Sequence, residues 1–172
     1  LFKVLDFVSD SLPNQKRTDN VPKKTMVVLL IEDNRLDVEL TLDAFREAQL
    51  GDNIYVVRSG QEALSYLFGQ APYDNRETYP IPDLILLDLK LPGIDGHEVL
   101  RQVKSAPHLK RLPVIILTSS QEHTDLVRSY DSGANSYLVK PVSANGFLDV
   151  VHKIDQYWLT LNISPPLYDS GD

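Results

Sequence analysis

The chain has 172 residues, 24 acidic and 17 basic side chains, a formal net charge of -7 and no cysteine. That length suits one domain with a real core, the acidic balance argues against a nucleic-acid module, which needs a basic face, and the missing thiols exclude a disulfide frame or a thiolate zinc site. No apolar run reaches the roughly 18 residues of a membrane helix, and the apolar start carries Asp6 and Asp10, which is wrong for a signal peptide, so a cytoplasmic protein with no membrane partner is expected.

Residues 1–12 place Leu1, Val4, Leu5, Val8 and Leu12 at helical spacing. Residues 13–25, with Pro13, Pro22, Lys16, Arg17, Lys23 and Lys24, read as a linker. From 26 to 161 strand and helix patterns alternate, and the strand runs are apolar throughout, as parallel strands covered on both faces would be. Strands are expected at about 26–32, 53–58, 83–88, 113–118 and 136–140. Helices are expected at about 35–48, 60–69, 95–105, 122–131 and 143–161. Ser59 with Glu62 opens the second helix as a capping box, Ala106-Pro107 ends the third, and Gly133 closes the fourth. The stretch QAPYDNRETYPIP is a long loop, and residues 162–172 read as a flexible tail. The start at Leu1 reads as a fragment or a processed product.

The strand ends carry the chemistry. The first run stops at Glu32-Asp33, the third at Asp88, the fourth at Thr118 and the fifth at Lys140-Pro141. In an open parallel sheet these ends line one edge, where ligands bind. Three carboxylates so close repel one another unless a cation neutralises them. Mg²⁺, which prefers hard oxygen ligands and phosphate, suits them. Asp88 can act as a nucleophile toward a phosphoryl donor, Lys140 can pair with the phosphate, and the Thr118 hydroxyl can bond one of its oxygens. Taken singly, a strand-end Thr reflects β-propensity and Lys-Pro a turn. His97, His108, His123 and His152 are scattered and expected at the surface.

The pieces LLIEDN, LILLDLKLPGIDG, VIILTSS and SGANSYLVKP resemble the response-regulator receiver domain over roughly residues 26–160. The resemblance implies a flavodoxin-like doubly wound α/β fold, a five-stranded parallel sheet in the order 2-1-3-4-5. It makes Asp88 the phosphoacceptor, Glu32 and Asp33 the acidic pair holding Mg²⁺ with Asp88, and the backbone carbonyl of Lys90 a further ligand. Lys140 becomes the phosphate-binding lysine, Thr118 and Tyr137 the switch pair, and Pro141 follows a cis bond. The partner implied is a histidine kinase, and the protein is a signalling phosphoacceptor of a two-component phosphorelay rather than an enzyme acting on a metabolite. The Lys90 side chain either points to solvent or screens the phosphate beside the small Ser120, which would alter the phosphoryl lifetime.

No output domain fits after the fifth helix, so signalling is expected through the surface of the fourth helix, fifth strand and fifth helix. Phe147, Val150, Val151, Ile154, Trp158 and Leu161 form an apolar stripe whose Tyr157-Trp158 end is a candidate homodimer interface. The first helix is apolar on two sides, Val38, Leu42 and Phe45 on one and Leu36, Leu40 and Ala44 on the other; one side is expected in the core, and the resemblance makes the other a candidate kinase-docking face. The long loop, short extension and aromatic helix end resemble the stand-alone regulators paired with bacterial phytochromes in cyanobacteria. Residues 1–25 depart from that group; they read as the end of an upstream domain of a hybrid kinase, an added docking helix or a frayed arm. A Mg²⁺ phosphohydrolase with an aspartyl nucleophile is the rival; the haloacid-dehalogenase type needs a second Asp where this chain has Lys90.

Overall fold

The computed structural model describes residues 26–50 and 53–161. The branched aliphatic runs form five short strands, β1 (Val28–Ile31), β2 (Ile54–Val57), β3 (Leu84–Leu87), β4 (Val114–Thr118) and β5 (Ser136–Val139). All pair in parallel, in the order β2-β1-β3-β4-β5. The helices between them are α1 (Arg35–Glu47), α2 (Gly60–Phe68), α3 (Gly96–Ser105), α4 (His123–Asp131) and α5 (Ala144–Ile154).

Alternation along each strand divides the core in two. Val28, Leu30, Leu86 and Ile115 face Phe45 of α1 and Phe147, Val151 and Ile154 of α5. Leu29, Ile31, Ile85, Leu87 and Ile116 face Leu67 of α2 and Val99, Leu100 and Val103 of α3. Every residue of β1, β3 and β4 is buried, whereas β5 at the sheet edge is half-exposed. The winding reverses between β1 and β3, so the carboxyl ends of these adjacent strands open the crevice in which ligands of such folds sit.

Four expectations need correction. The helix expected over 143–161 is α-helical only to Ile154 and continues as a π-helix over Asp155–Leu161, a hydrogen-bond shift that periodicity cannot reveal. Among the described residues the cis peptide is Ala71–Pro72, so the bond before Pro141 keeps the trans form that X–Pro bonds prefer. His97 is 5% exposed, because it opens α3 against α4; the other three histidines are at the surface. On α1, Ala44 packs in the core with Val38 and Phe45, which leaves Leu36 as the exposed apolar residue of the second side. Residues 1–25 and 162–172 lie outside the described residues.

The long loop is pinned to α2. One Arg76 amino group donates to the Tyr66 and Tyr79 carbonyls (2.8 and 3.2 Å) and the other to Leu67 (2.9 Å), which ties the loop to the carboxyl end of α2. The Tyr66, Tyr73 and Tyr79 rings pack tilted or edge-to-face with centroids 5.0–6.0 Å apart, and the Tyr66 hydroxyl donates to the Pro80 carbonyl. Removing Arg76 takes the guanidinium donors from the part-buried Leu67 and Tyr79 carbonyls, while the Tyr66 carbonyl keeps the Gly69 amide at 3.2 Å. Arg76→Ala is therefore expected to cost about 1–3 kcal/mol in urea unfolding, with Arg76→Lys recovering only part because one ammonium cannot span the fork.

Candidate functional site

β1 delivers Glu32 and Asp33 at its carboxyl end. Glu32 is 2% exposed and accepts from the Asn34 amide at 3.0 Å, while Asp33 faces solvent. Asn34 caps α1 by accepting from Leu36 and Asp37 N–H groups (2.9 and 3.3 Å), which starts the helix at the crevice and sets Asp37 in its first turn. β3 delivers Asp88, 5% exposed, whose amide bonds the Ile31 carbonyl at 3.0 Å and so ties the two strand ends together. The Lys90 amide donates to Asp88 Oδ1 at 3.2 Å. Gly96 packs against the Asp88 carbonyl so closely that any Cβ there would collide with it.

Lys140 follows β5, its amide bonded to the Thr118 carbonyl at 2.8 Å. Its ammonium lies 2.6 Å from Asp88 Oδ2, 2.6 Å from Glu32 Oε2 and 2.9 Å from Asp37 Oδ2. Burial opposes its charge, but bonds to Asp88, Glu32 and Asp37 outweigh that and hold its pKa above the usual lysine value. Glu32 has the opposite problem. Burial raises its pKa to about 7, Lys140 pulls against that rise, and Asp88 adds to it.

Glu32, Asp33 and Asp88 each bring a carboxylate oxygen to within 4.8 Å of the others. When all are ionised, Glu32, Asp33, Asp37 and Asp88 set four negative charges against one ammonium, leaving three. Hard oxygen donors with surplus negative charge and one solvent-facing member fit an oxygen-seeking divalent cation. The sheet thus assembles every residue of the expected acidic pocket with its lysine. Asp37 was not anticipated: an acidic residue in a first helical turn reads as dipole complementarity, and its place on Lys140 depends on the angle of α1.

Thr118 is fully buried at the end of β4, its Oγ1 accepting from the Ser120 amide at 3.3 Å. Tyr137 is half-buried on β5 and donates its hydroxyl to the Ser120 carbonyl at 3.0 Å. The Lys90 side chain is exposed, and its charge acts on Asp125. Trp158 packs partly against α5 and the core, whereas Tyr157 is 55% exposed.

Residues 28–152 match the response regulator receiver domain family. The chain is 40% identical over 139 residues to the probable methanogenesis regulatory protein FilR2 of Methanothrix harundinacea, covering 81% of this chain and 87% of that one. It is 38% identical over 140 residues to response regulator Rcp1 of Synechocystis sp., covering 81% and 91%. The crystal structure of the Mn²⁺-bound form of Rcp1 aligns with a TM-score of 0.74 at 36% identity, over 82% of this chain and 99% of that one. That of the phosphorylated cyanobacterial phytochrome response regulator RcpA aligns with a TM-score of 0.76 at 38% identity, again over 82% and 99%. No helix among the described residues is long and apolar enough to cross a membrane.

Between pH 4.5 and about 7 the metal-free folded chain keeps on Glu32 a proton that the unfolded chain releases. This group's contribution to stability is therefore full at low pH and falls as pH rises through that window. Thermal unfolding across the window should show the decline without metal. Mg²⁺ should flatten it by favouring the carboxylate, and Glu32→Gln should remove it.

Proposed function

The chain belongs to the response regulator receiver family and is related to the phytochrome response regulators, and on that premise we propose that Asp88 is its phosphoacceptor, charged by a histidine kinase with Mg²⁺ held at Glu32, Asp33, Asp88 and the Lys90 carbonyl. The observation that carries this is the Lys140 ammonium 2.6 Å from Asp88 Oδ2 beside the acidic pair. Attack of an Asp88 carboxylate oxygen on phosphorus forms an acyl phosphate as the phosphorus–nitrogen bond to the kinase histidine breaks. Bound Mg²⁺ supplies neutralising charge for the phosphoryl oxygens. Lys140 pairs with one of those oxygens, and Thr118 donates its hydroxyl to another. Water attack on phosphorus later restores Asp88. The protein turns over no external metabolite; these self-catalysed steps set the lifetime of its signal, in the cytoplasm.

The phosphoryl group adds about -1.5 to -2 charge. Movement of Thr118 toward it and reorientation of Tyr137 bias the surface of α4, β5 and α5. A groove of about 470 Å³ bounded by Leu126, Tyr137 and Val139 lies on that surface. Val127 and Tyr130 of α4 and Val139 of β5 are more than two-fifths exposed there. Such an unpartnered apolar face favours a homodimer, and Tyr157 and Trp158, which border Pro113, Ser136 and Leu138 toward the start of β5, extend it at the other end of the strand. Exposed Leu36 of α1 marks the kinase-docking side, and kinship with Rcp1 and RcpA favours a kinase of the phytochrome type.

Incubation with acetyl phosphate and Mg²⁺ should add one phosphoryl group by intact mass. The gain should vanish in Asp88→Asn and after chelation, and should fall at least tenfold in rate in Lys140→Ala. A gain that persists in Asp88→Asn refutes the assignment. Light scattering should show phosphorylation-dependent dimers, abolished by Val139→Glu while the mass gain persists.

A further inference from the structure

Lys140 reaches the pocket from the segment after the half-exposed edge strand β5, where Val139 and Val142 are both exposed. A long flexible stem on such a segment does not by itself aim an ammonium. Asp37 stands on a firmer frame. Its amide donates to the Asn34 side chain (3.3 Å), and its carbonyl accepts from the Thr41 hydroxyl (2.7 Å). Thr41 and the next residue, Val38, are buried in the packing of α1. From that first helical turn the carboxylate meets Lys140 Nζ at 2.9 Å, 103 positions away in the chain.

The three carboxylates on Lys140 differ in what a phosphoryl group would do to them. Asp88 is the reacting group, and once it becomes an acyl phosphate its negative charge has passed to the phosphoryl oxygens. Glu32 belongs to the set of three acids whose oxygens lie within 4.8 Å of one another, so a divalent cation held there draws on it as well. Asp37 is outside that set and takes no part in bond making. Of the three bonds to the ammonium, the one from Asp37 is the bond that neither the metal nor the reaction claims. Its side chain is also the most exposed of the three acids, at 23%.

We propose that Asp37 is a positioning residue for phosphoryl transfer: from α1 it keeps hold of one Lys140 N–H while the ammonium exchanges Asp88 for a phosphoryl oxygen. The inference rests on the phosphoacceptor reading. Asp37 acts only through Lys140. An ammonium tethered at one donor has fewer orientations to lose as its other donors close on the transferring group, and donors aimed in advance stabilise the shifting charge best. Asp37 has a second, separable effect, because its charge adds to the surplus that favours a divalent cation. Asparagine removes the charge but keeps an acceptor for the ammonium; alanine and leucine remove both.

Phosphorylation by acetyl phosphate, followed by intact mass at saturating Mg²⁺ and varied donor, reads the positioning effect as a maximal rate. Asp37→Ala should lower that rate about fivefold, less than Lys140→Ala does, and Asp37→Asn should stay within about twofold of wild type. Asp37→Leu, close to aspartate in shape, should fall as Asp37→Ala does and serves in its place if the alanine variant folds poorly. Calorimetry should show Mg²⁺ binding weakened alike in Asp37→Asn and Asp37→Ala, since both lose the same charge. In a Lys140→Ala background Asp37→Ala should cost nothing more, because its effect passes through the missing ammonium. Urea unfolding of each variant identifies general loosening, which would not be rescued by asparagine. A loss confined to Mg²⁺ affinity, equal maximal rates in Asp37→Asn and Asp37→Ala, or a loss that persists without Lys140 overturns the positioning role. Wild-type protein that gains no phosphoryl mass, or an Asp88→Asn variant that still gains it, overturns the phosphoacceptor reading instead.

Discussion

A single buried ammonium, Lys140, holds together groups that would otherwise repel. Glu32 and Asp88 are almost completely buried, and neither tolerates that environment as a lone anion. Lys140, 7% exposed as a side chain, is equally intolerable as a lone cation. Placed within 2.9 Å of Glu32, Asp37 and Asp88, it satisfies all its donors and binds β1, β3, β5 and α1 at one point. It does not neutralise the site. The residual negative charge favours taking up a divalent cation, and the Glu32 pKa, raised chiefly by burial and further by Asp88, stays high despite the pull of Lys140.

That arrangement demands a rigid frame, and the sheet supplies it. The three central strands are buried on both faces, so their ends cannot shift without opening close-packed aliphatic layers. Motion is left to the periphery: the short segment after β4, the half-exposed edge strand β5, and α4, which has one buried residue and lacks a side-chain N-cap bond. Ser120 stands where the rigid and compliant parts meet. Its bonds reach Thr118 at the strand end and Asp125 in the helix.

Much of this was legible in the residues. Apolar runs of four or five, each ending at a carboxylate, hydroxyl or lysine, announce parallel strands with a chemical edge, and the motifs around Asp88 and Lys140 name the family. Less legible were features that depend on angles between elements. Asp37 looks like an ordinary acidic helix start until α1 is laid across the crevice. His97 looks like a surface histidine because nothing local reveals that α4 covers it. The same limit hides the π-helical continuation of α5 and the anchoring of the long loop by Arg76, whose three acceptors lie on two different segments.

The sequence by itself determined the strands, their parallel sense and the pocket chemistry, because burial pattern and residue type are written position by position. Only the tertiary structure decided which acids share Lys140, which histidine is buried and how Thr118 and Tyr137 meet at Ser120. Apart from the local Thr118–Ser120 bond, those are contacts between residues 17 to 108 positions apart, and their distances depend on how helices pack on the sheet rather than on any local preference.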